Sequence, residues 1–417
     1  MTLINMKLLN RVLLGGFASF GVLTFLIICG YGTHFFSTAL KGKNNLPKSS
    51  NVTQKELIQS RKIELKSMIT QKIKYNERMV DRIYKKYLKD PRSTLDFLII
   101  SGGGENASFG TGFLVGWSTV ADKNMAMPLF DGVIGVSAGA LIAPFAYIGT
   151  EKSLKSIDNL FRNPEPNFVR KTSLFPFLPG NASLLAIPGL ERAIDDALTE
   201  SLAKKLVRST SEGRLLLIQA TNLDLAIPRI FDFIEIAQQS LEIKNNNPMV
   251  NVALASSAIP GIFPHRKIGG YTFVDGAVES NIYYGGRPSL ASNTFGGIWK
   301  EKHPDIPIPT IRLWVIVNGN LREAPGNSFS DWISVALRSL AVSEGANQVT
   351  ALRELYSFAE LSKSRGHGNI EVRWISIKDS LRGSSFPDLF NKKLMTELSE
   401  SGRKLGSTPN SWNTKEP

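Results

Sequence analysis

The feature that most constrains this chain is residues 130–140, where a short apolar run leads into a serine between glycines, Gly135-x-Ser137-x-Gly139. The pattern predicts a strand, a sharp turn and a helix, with the hydroxyl of Ser137 projecting above the sheet edge. The two elbow glycines leave room because side chains at their positions would collide in the turn. The amide of Ala138, at the helix start, could stabilise an oxyanion. The same pattern occurs in ordinary turns between buried elements, so the prediction depends on two further stretches.

The first of these is a glycine-rich loop. Residues 95–100 form an apolar run that predicts a buried strand, and they lead into Gly102-Gly103-Gly104. Backbone without side chains can bring its amides close to a ligand. A phosphate-binding loop is the alternative, but the sequence has neither a following Gly-Lys-Ser/Thr nor the spacing G-x-G-x-x-G.

The second stretch is an aspartate after a predicted strand. Residues 269–274 lead into Asp275, which is followed by Gly-Ala. A serine hydroxyl needs a base within hydrogen-bond reach, and a carboxylate removed from water can have a raised pKa and accept its proton. Asp-Gly is also a common turn signal, and Asp224 and Asp131 are rival carboxylates.

A histidine is the other candidate base. His303 and His367 follow Asp275 in the chain order of ordinary α/β-hydrolases, and His265 precedes it. His303 and His367 lie in polar loops with proline or glycine, where solvated histidines are common. The pattern therefore favours a serine–aspartate pair over a triad.

The glycine loop, the serine elbow and the Asp-Gly-Ala motif together resemble the patatin-like phospholipase family, in this order and spacing. The resemblance covers about residues 94–400 and includes the segments 221–224 and 253–264. It implies a three-layer α/β/α fold with a mainly parallel central sheet and a Ser–Asp dyad.

The resemblance also implies a role for each motif residue. The predicted site consists of Ser137 and Asp275 as the catalytic pair, Gly102, Gly103, Gly104 and Ala138 as the oxyanion hole, and Gly135 and Gly139 as the elbow. Many members have a basic residue and then a glycine after the three glycines, whereas this chain has Asn106 and Ala107, which resembles a bacterial branch.

The N-terminus predicts a membrane anchor. Residues 12–31 carry no charge, follow Lys7 and Arg11, and are long enough to cross a hydrocarbon core as a helix. A cleaved signal peptide and a lipoprotein modified at Cys29 are the alternatives, but a convincing cleavage site is absent. We expect a single-pass anchor in a bacterial inner membrane, and the flanking charges do not favour either orientation.

A basic segment follows the anchor. Residues 41–92 hold fifteen Lys and Arg against five Asp and Glu, within a chain of net charge +13. Residues 52–89 have helical periodicity, with an apolar stripe. We expect this helix to dock on the catalytic domain, to lie on an anionic bilayer, or both; the adjacent anchor favours lipid over nucleic acid as the partner. The stripe is Leu65, Ile69, Ile73, Val80, Ile83 and Tyr87.

We therefore predict an α/β protein with four parts: the anchor at 1–31, a linker and basic helix at 32–92, a catalytic domain at 93–405 and a flexible tail at 406–417. The single cysteine and four scattered histidines argue against a disulfide or zinc site, and the chemistry implies no metal or cofactor. The predicted function is a membrane-anchored serine acyl hydrolase for phospholipids or lysophospholipids. A silent lipid-binding scaffold and a hydrolase of soluble esters or thioesters are the alternatives, and the oligomeric state is not predicted.

Overall fold

The structure of the chain is a computed structural model. It describes residues 52–122, 125–165, 167–172, 182–285, 291–322, 325, 332–378 and 389–417. By its internal contacts the chain divides into two units, residues 1–57 and 58–417. The predicted anchor at 12–31 lies outside the described residues, and within the described part no helix is long and apolar enough to cross a membrane.

The sequence forms alternating strands and helices, as the spacing of its apolar runs predicts. The helices are α1 Gln54–Tyr87, α2 Ala107–Trp117, α3 Ala138–Ile148, α4 Glu151–Arg162, α5 Pro188–Ala197, α6 Glu200–Arg208, α7 Phe233–Glu242, α8 Asn247–Ser256, α9 Phe295–Lys302, α10 Trp332–Ser364 and α11 Lys392–Gly406. The strands are β1 Leu95–Ile100, β2 Gly132–Val136, β3 Arg170–Lys171, β4 Leu185–Ala186, β5 Leu215–Asn222, β6 Ile227–Asp232, β7 Arg266–Ile268, β8 Tyr271–Asp275, β9 Ile311–Val317 and β10 Ile370–Ser376.

One eight-stranded sheet organises the domain. Its order is β10-β9-β1-β2-β5-β8-β7, and β6 also pairs with β5. The ladders from β10 to β5 are all parallel, whereas β6, β8 and β7 join antiparallel. The prediction of an α/β fold with a mainly parallel central sheet is confirmed. The sequence did not predict β6 or the antiparallel end of the sheet.

Two apolar cores cover the two faces of this sheet. Within β1, Leu98 and Ile100 belong to the core formed with α2, α3 and α11, whereas Leu95 and Ile99 belong to the core formed with α1, α9 and α10. Side chains of a strand point alternately to opposite faces, so a continuous apolar run requires cover on both sides. The result is a three-layer arrangement of helices, sheet and helices.

Helix α1 begins with a capping box, because the amide of Thr53 donates to Glu56 Oε2 at 2.6 Å. Its C-terminal half is docked: Val80 and Ile83 are fully buried in the second core. Along the N-terminal half the stripe emerges, and Leu65 and Ile69 are 40% and 52% exposed. Docking on the catalytic domain therefore applies to the second half of the helix.

The last residues of the chain pack on the sheet, in contrast to the flexible tail expected at 406–417. Trp412 is buried, with its ring 4.7 Å from that of Trp117 and 5.0 Å from that of Trp314. The backbone of Asn413 forms an antiparallel bridge with Trp374. Trp412 is the one large apolar residue in a polar segment, and a single residue forms no periodic pattern, so the sequence could not predict this contact.

Candidate active site

Ser137 occupies a sharp turn between β2 and α3. Its φ is +54° and its ψ is −128°, which non-glycine residues rarely adopt. A Cβ added to Gly135 would lie 2.5 Å from the carbonyl of Gly139, and one added to Gly139 would lie 2.2 Å from the carbonyl of Ile100. Both positions therefore exclude a side chain. The amide of Ser137 donates to Ser256 Oγ at 2.9 Å, which fixes the turn to the end of α8.

Asp275 reaches Ser137 because β2 and β8 use the same edge of β5. Strand β6 pairs with the other edge of β5, from Leu217 to Asn222. Val136 pairs with Gln219 at the end of β2, and Asp275 pairs with the next residue, Ala220, at the end of β8. The last residue of the antiparallel strand β8 therefore lies beside the end of β2. There Ser137 Oγ donates to Asp275 Oδ2 at 2.6 Å.

The carboxylate of Asp275 is buried, with 3% of the residue exposed. Burial raises its pKa to about 7, the nearby charge of Glu344 adds to the rise, and hydrogen bonds from Ser137 and Ala277 oppose it. The Ala277 amide donates to Oδ1 at 2.8 Å and holds the carboxylate in place. A carboxylate with this pKa can take up and release a proton near neutral pH.

The glycine loop lies against the serine, but its three amides differ. The Gly102 amide donates to Asn281 Oδ1 at 2.6 Å, so it already has an acceptor and does not fit the predicted oxyanion hole. Among the described residues, the amides of Gly103, Gly104 and Ala138 donate no hydrogen bond to a backbone or side-chain acceptor. These three remain as candidate oxyanion donors.

A polar network holds the loop in this position. Asn281 is fully buried, and its Nδ2 donates to Glu344 Oε1 at 2.9 Å. On the other side of the loop, Asn318 Nδ2 donates to the carbonyl of Ser101 at 2.9 Å. A Cβ on Gly103 would lie 1.9 Å from the Asn318 carbonyl oxygen, so this position requires glycine.

A small apolar pocket of about 30 Å³ lies beside Ser137. The ring of Phe390 forms part of its wall and packs on Phe168, with centroids 5.1 Å apart, and on Phe263 at 6.3 Å. The amide of Phe390 donates to Glu105 Oε2, which ties this part of the wall to the residue after the glycine loop. The pocket is lined by Gly104, Ser137, Ala138, Leu141, Leu160, Phe161, Phe168, Leu190, Ser257, Ile259, Phe263 and Phe390.

The rival carboxylates have structural roles. Asp131 is fully buried and forms ion pairs with Arg82 at 2.6 Å and Lys86 at 2.9 Å. Asp224 accepts the amide of Thr272 at 2.6 Å and so links the turn between β5 and β6 to strand β8.

Two of the histidines that could have supplied a catalytic base also have other partners. The ring of His303 stacks on Tyr84 with centroids 3.9 Å apart, and His367 Nδ1 lies 3.3 Å from Thr294 Oγ1. Across the described part of the chain, no group of three His, Cys, Asp or Glu lies close enough to hold a metal ion.

The sequence motifs did not reveal Ser256, Asn281, Glu344 or Phe390. Asn281 lies six residues after Asp275, and this proximity was the one available signal. Glu344 is the only charged residue of the segment 339–352 in the long helix α10, but no motif marks it and the sequence does not indicate its partner.

Comparison with known proteins gives a family and a distant structural likeness. The model of the patatin-like phospholipase family matches residues 98–286, so the resemblance predicted from the motifs is confirmed. Among curated proteins, none matches. The crystal structure of VipD from Legionella pneumophila matches with 12% identity and a TM-score of 0.34. That match covers 75% of this chain and 66% of VipD, just under two thirds of its length.

Proposed function

Residues 98–286 are a patatin-like phospholipase domain, and on this premise we propose that the protein is a membrane-anchored serine hydrolase that cleaves ester bonds of membrane phospholipids or lysophospholipids. The observation that carries the proposal is the 2.6 Å contact between Ser137 Oγ and Asp275 Oδ2 in a buried elbow. A hydroxyl that donates to a buried carboxylate is the arrangement needed to activate a serine nucleophile.

In the acylation step, Asp275 takes the proton of Ser137 as Oγ attacks the ester carbonyl. The amides of Gly103, Gly104 and Ala138 donate to the oxyanion that forms. The bond to the alcohol then breaks, and the proton on Asp275 moves to the leaving oxygen. Removal of one such donor typically costs about 10²- to 10³-fold in rate, so these amides contribute much of the stabilisation.

In the deacylation step, water enters after the alcohol has left. Asp275 takes one proton from the water as it attacks the acyl-enzyme, and the proton then returns to Ser137 Oγ as the acid is released. The buried setting of the carboxylate supports both steps, since a pKa of about 7 lets it act as base and then as acid.

A lipid substrate is supported by the apolar character of the pocket beside Ser137. Of its lining residues, Leu141, Phe161 and Phe263 are typical of a wall that binds an acyl chain. The volume of about 30 Å³ is about that of one water molecule, so an acyl chain can enter only if side chains of the pocket wall move.

The proposed location at the membrane depends on two features. The uncharged segment 12–31 supplies the anchor, and helix α1 supplies a basic surface for an anionic bilayer. In the first half of α1, exposed Ile58 and Ile63 accompany exposed Arg61, Lys62 and Lys66. This combination of apolar and basic side chains suits the headgroup region of a membrane.

The test is lipid mass spectrometry of membranes incubated with the wild type and with Ser137→Ala. We expect lysolipids and free fatty acids to accumulate only with the wild type, and a fluorophosphonate probe to label Ser137. Turnover by folded Ser137→Ala would refute the mechanism. Turnover of a chromogenic ester without turnover of any lipid would instead favour a hydrolase of soluble esters.

A further inference from the structure

The first half of helix α10 exposes large apolar side chains to solvent. Val335, Leu340 and Val342 are 50%, 49% and 47% exposed. The second half of the same helix is docked, since Leu352 and Leu355 are fully buried in the second core. Single exposed apolar residues are common on protein surfaces, whereas several on one short stretch of helix are typical of an interaction surface.

The exposed residues lie on different sides of the helix. Val335 and Val342 are seven residues apart and share one face. Leu340 lies about 140° around the helix axis from Val335, because each residue turns the helix by about 100°. A helix with apolar residues on opposite sides is expected to be surrounded by an apolar medium. A protein partner covers mainly one side of a helix, whereas fluid lipid can surround it, so this arrangement favours lipid.

The charge pattern of this half of the helix also suits a lipid surface. Residues 332–343 include no acidic residue, and Arg338 is their only charged residue. Phospholipid headgroups carry a negatively charged phosphate, which repels acidic side chains and is compatible with basic ones. The first acidic residue is Glu344, and it accepts from the protein itself, from Asn281 Nδ2 at 2.9 Å.

The exposed half of α10 ends beside the proposed dyad. Glu344 contacts Asn281, and Asn281 Oδ1 accepts the Gly102 amide at 2.6 Å. A Cβ added to Gly102 would lie 2.6 Å from Asn281 Oδ1 and 2.7 Å from Ser137 Cβ, so the side chains of Asn281 and Ser137 are close neighbours. Val278, three residues after the aspartate of the dyad, is also 50% exposed. A surface that binds this half of the helix would therefore meet the protein next to the dyad.

We propose that the first half of α10 inserts into the headgroup region of a phospholipid bilayer and holds the dyad at the lipid surface. The choice of partner rests on the proposed function, because a lipid hydrolase must take its substrate from a bilayer. Insertion itself does not require turnover. This contact is apolar, so, unlike a contact through the basic helix α1, it does not require anionic lipid.

The test measures the depth of single positions in the full-length protein, reconstituted in phosphatidylcholine vesicles at high salt. An NBD fluorophore is attached at Leu340→Cys in a Cys29→Ser background, which removes the only native cysteine. Ser364→Cys in the same background is the matched control, because Ser364 is exposed at the other end of the same helix. We expect lipids with a nitroxide near the headgroup to quench most of the fluorescence at position 340 and little of it at position 364.

Turnover gives a second measurement. The double variant Leu340→Ser/Val342→Ser should lower the turnover of vesicle lipids by roughly tenfold, because it removes two large apolar side chains from the lipid contact. Turnover of a soluble ester and thermal stability should not change. Leu129→Ser is the matched control, since Leu129 is 59% exposed but precedes β2, at the edge of the sheet opposite Ser137.

Four outcomes would overturn the proposal. The first is equal quenching at positions 340 and 364, and the second is a label at position 340 that is shielded from water but not quenched by lipid, which would indicate a protein partner or a second copy. The third is unchanged lipid turnover in Leu340→Ser/Val342→Ser, and the fourth is an equal loss in Leu129→Ser. Quenching at position 340 should be the same when Ser137→Ala is added, so insertion and the hydrolase proposal are tested separately.

Discussion

Replacement of Asp275 by asparagine separates the charge of this side chain from its shape. The pKa of Asp275 is raised to about 7 in the folded protein, mainly by burial. In the unfolded chain an aspartate has a pKa of about 3.9, so ionisation of Asp275 costs the folded state about 4 kcal/mol. Asparagine avoids this cost, and it can still accept from Ala277 and form a hydrogen bond with Ser137.

The sign of the pH dependence follows from the higher pKa of the folded state. The contribution of Asp275 to the free energy of unfolding is fully present below about pH 4 and is lost as pH rises through about 7. The stability of Asp275→Asn relative to the wild type should therefore increase with pH across this window, by up to about 4 kcal/mol. Hydrolysis should fall about 10²-fold or more, since the general base is lost.

The assay is thermal unfolding of the wild type and of Asp275→Asn at several pH values from 5 to 8, with ester turnover measured on the same samples. Wild-type turnover should rise as pH passes through about 7, because the base form of Asp275 is needed. A stability difference that is the same at pH 5 and pH 8 would refute the raised pKa. Retained turnover in the folded variant would refute the role of base.

Three further variants test the surroundings of the dyad. Gly104→Ala should lower turnover and reduce the free energy of unfolding by about 1–2 kcal/mol, because Gly104 has a φ of +55°, which is strained for alanine. The added Cβ itself would meet nothing within 4 Å. Unchanged kinetics would place this amide outside the oxyanion hole. Phe390→Ala should raise the turnover of long-chain relative to short-chain esters, because it removes a large side chain from the wall of a pocket of only about 30 Å³, and an unchanged ratio would show that Phe390 does not limit the space for the acyl chain. Glu344→Gln should shift the rising limb of the pH–rate profile to lower pH, because the Glu344 charge raises the pKa of Asp275, whereas loss of turnover at every pH would indicate a structural role.

The parts of the fold that the sequence predicts are those encoded by local patterns. Apolar runs such as 95–100 and 311–317 identify parallel strands because both faces of the sheet are covered. The elbow is recognisable because two glycines are required within five residues. The antiparallel strand β8 is different: its position depends on the edge of β5 that β2 leaves unpaired, which is a property of the assembled sheet.

The supporting residues of the site could not be predicted for a related reason. Glu344 contacts Asn281 across 63 residues of sequence, and Phe390 contacts Glu105 across 285 residues. None of these residues belongs to a motif, and Asn and Glu are common on protein surfaces. The Gly102 amide shows the same limit, because its role depends on whether a distant side chain already accepts its hydrogen bond.

The basic helix illustrates how the structure changes the design of an experiment. Lys86 is one of the lysines that net charge alone would assign to a membrane surface, yet it forms an ion pair with the buried carboxylate of Asp131 at 2.9 Å. Reversal of that charge would place a carboxylate beside buried Asp131, which would keep only Arg82 as a cationic partner, and would therefore destabilise the domain. A loss of lipid turnover in such a variant would follow from lost stability and would not test whether the helix binds a membrane.

The informative variant reverses Arg61, Lys62 and Lys66, which are exposed on the first half of α1. Each such charge near an anionic bilayer contributes about 1 kcal/mol, and salt screens the effect over about 10 Å. We expect the triple reversal to reduce binding to anionic vesicles and turnover of their lipids at low salt, with turnover of a soluble ester and thermal stability unchanged. Lys86→Met is the comparison, and it should reduce both activities together with stability. Equal vesicle binding by the triple variant and the wild type would show that these three side chains are merely solvated and do not contribute to membrane binding.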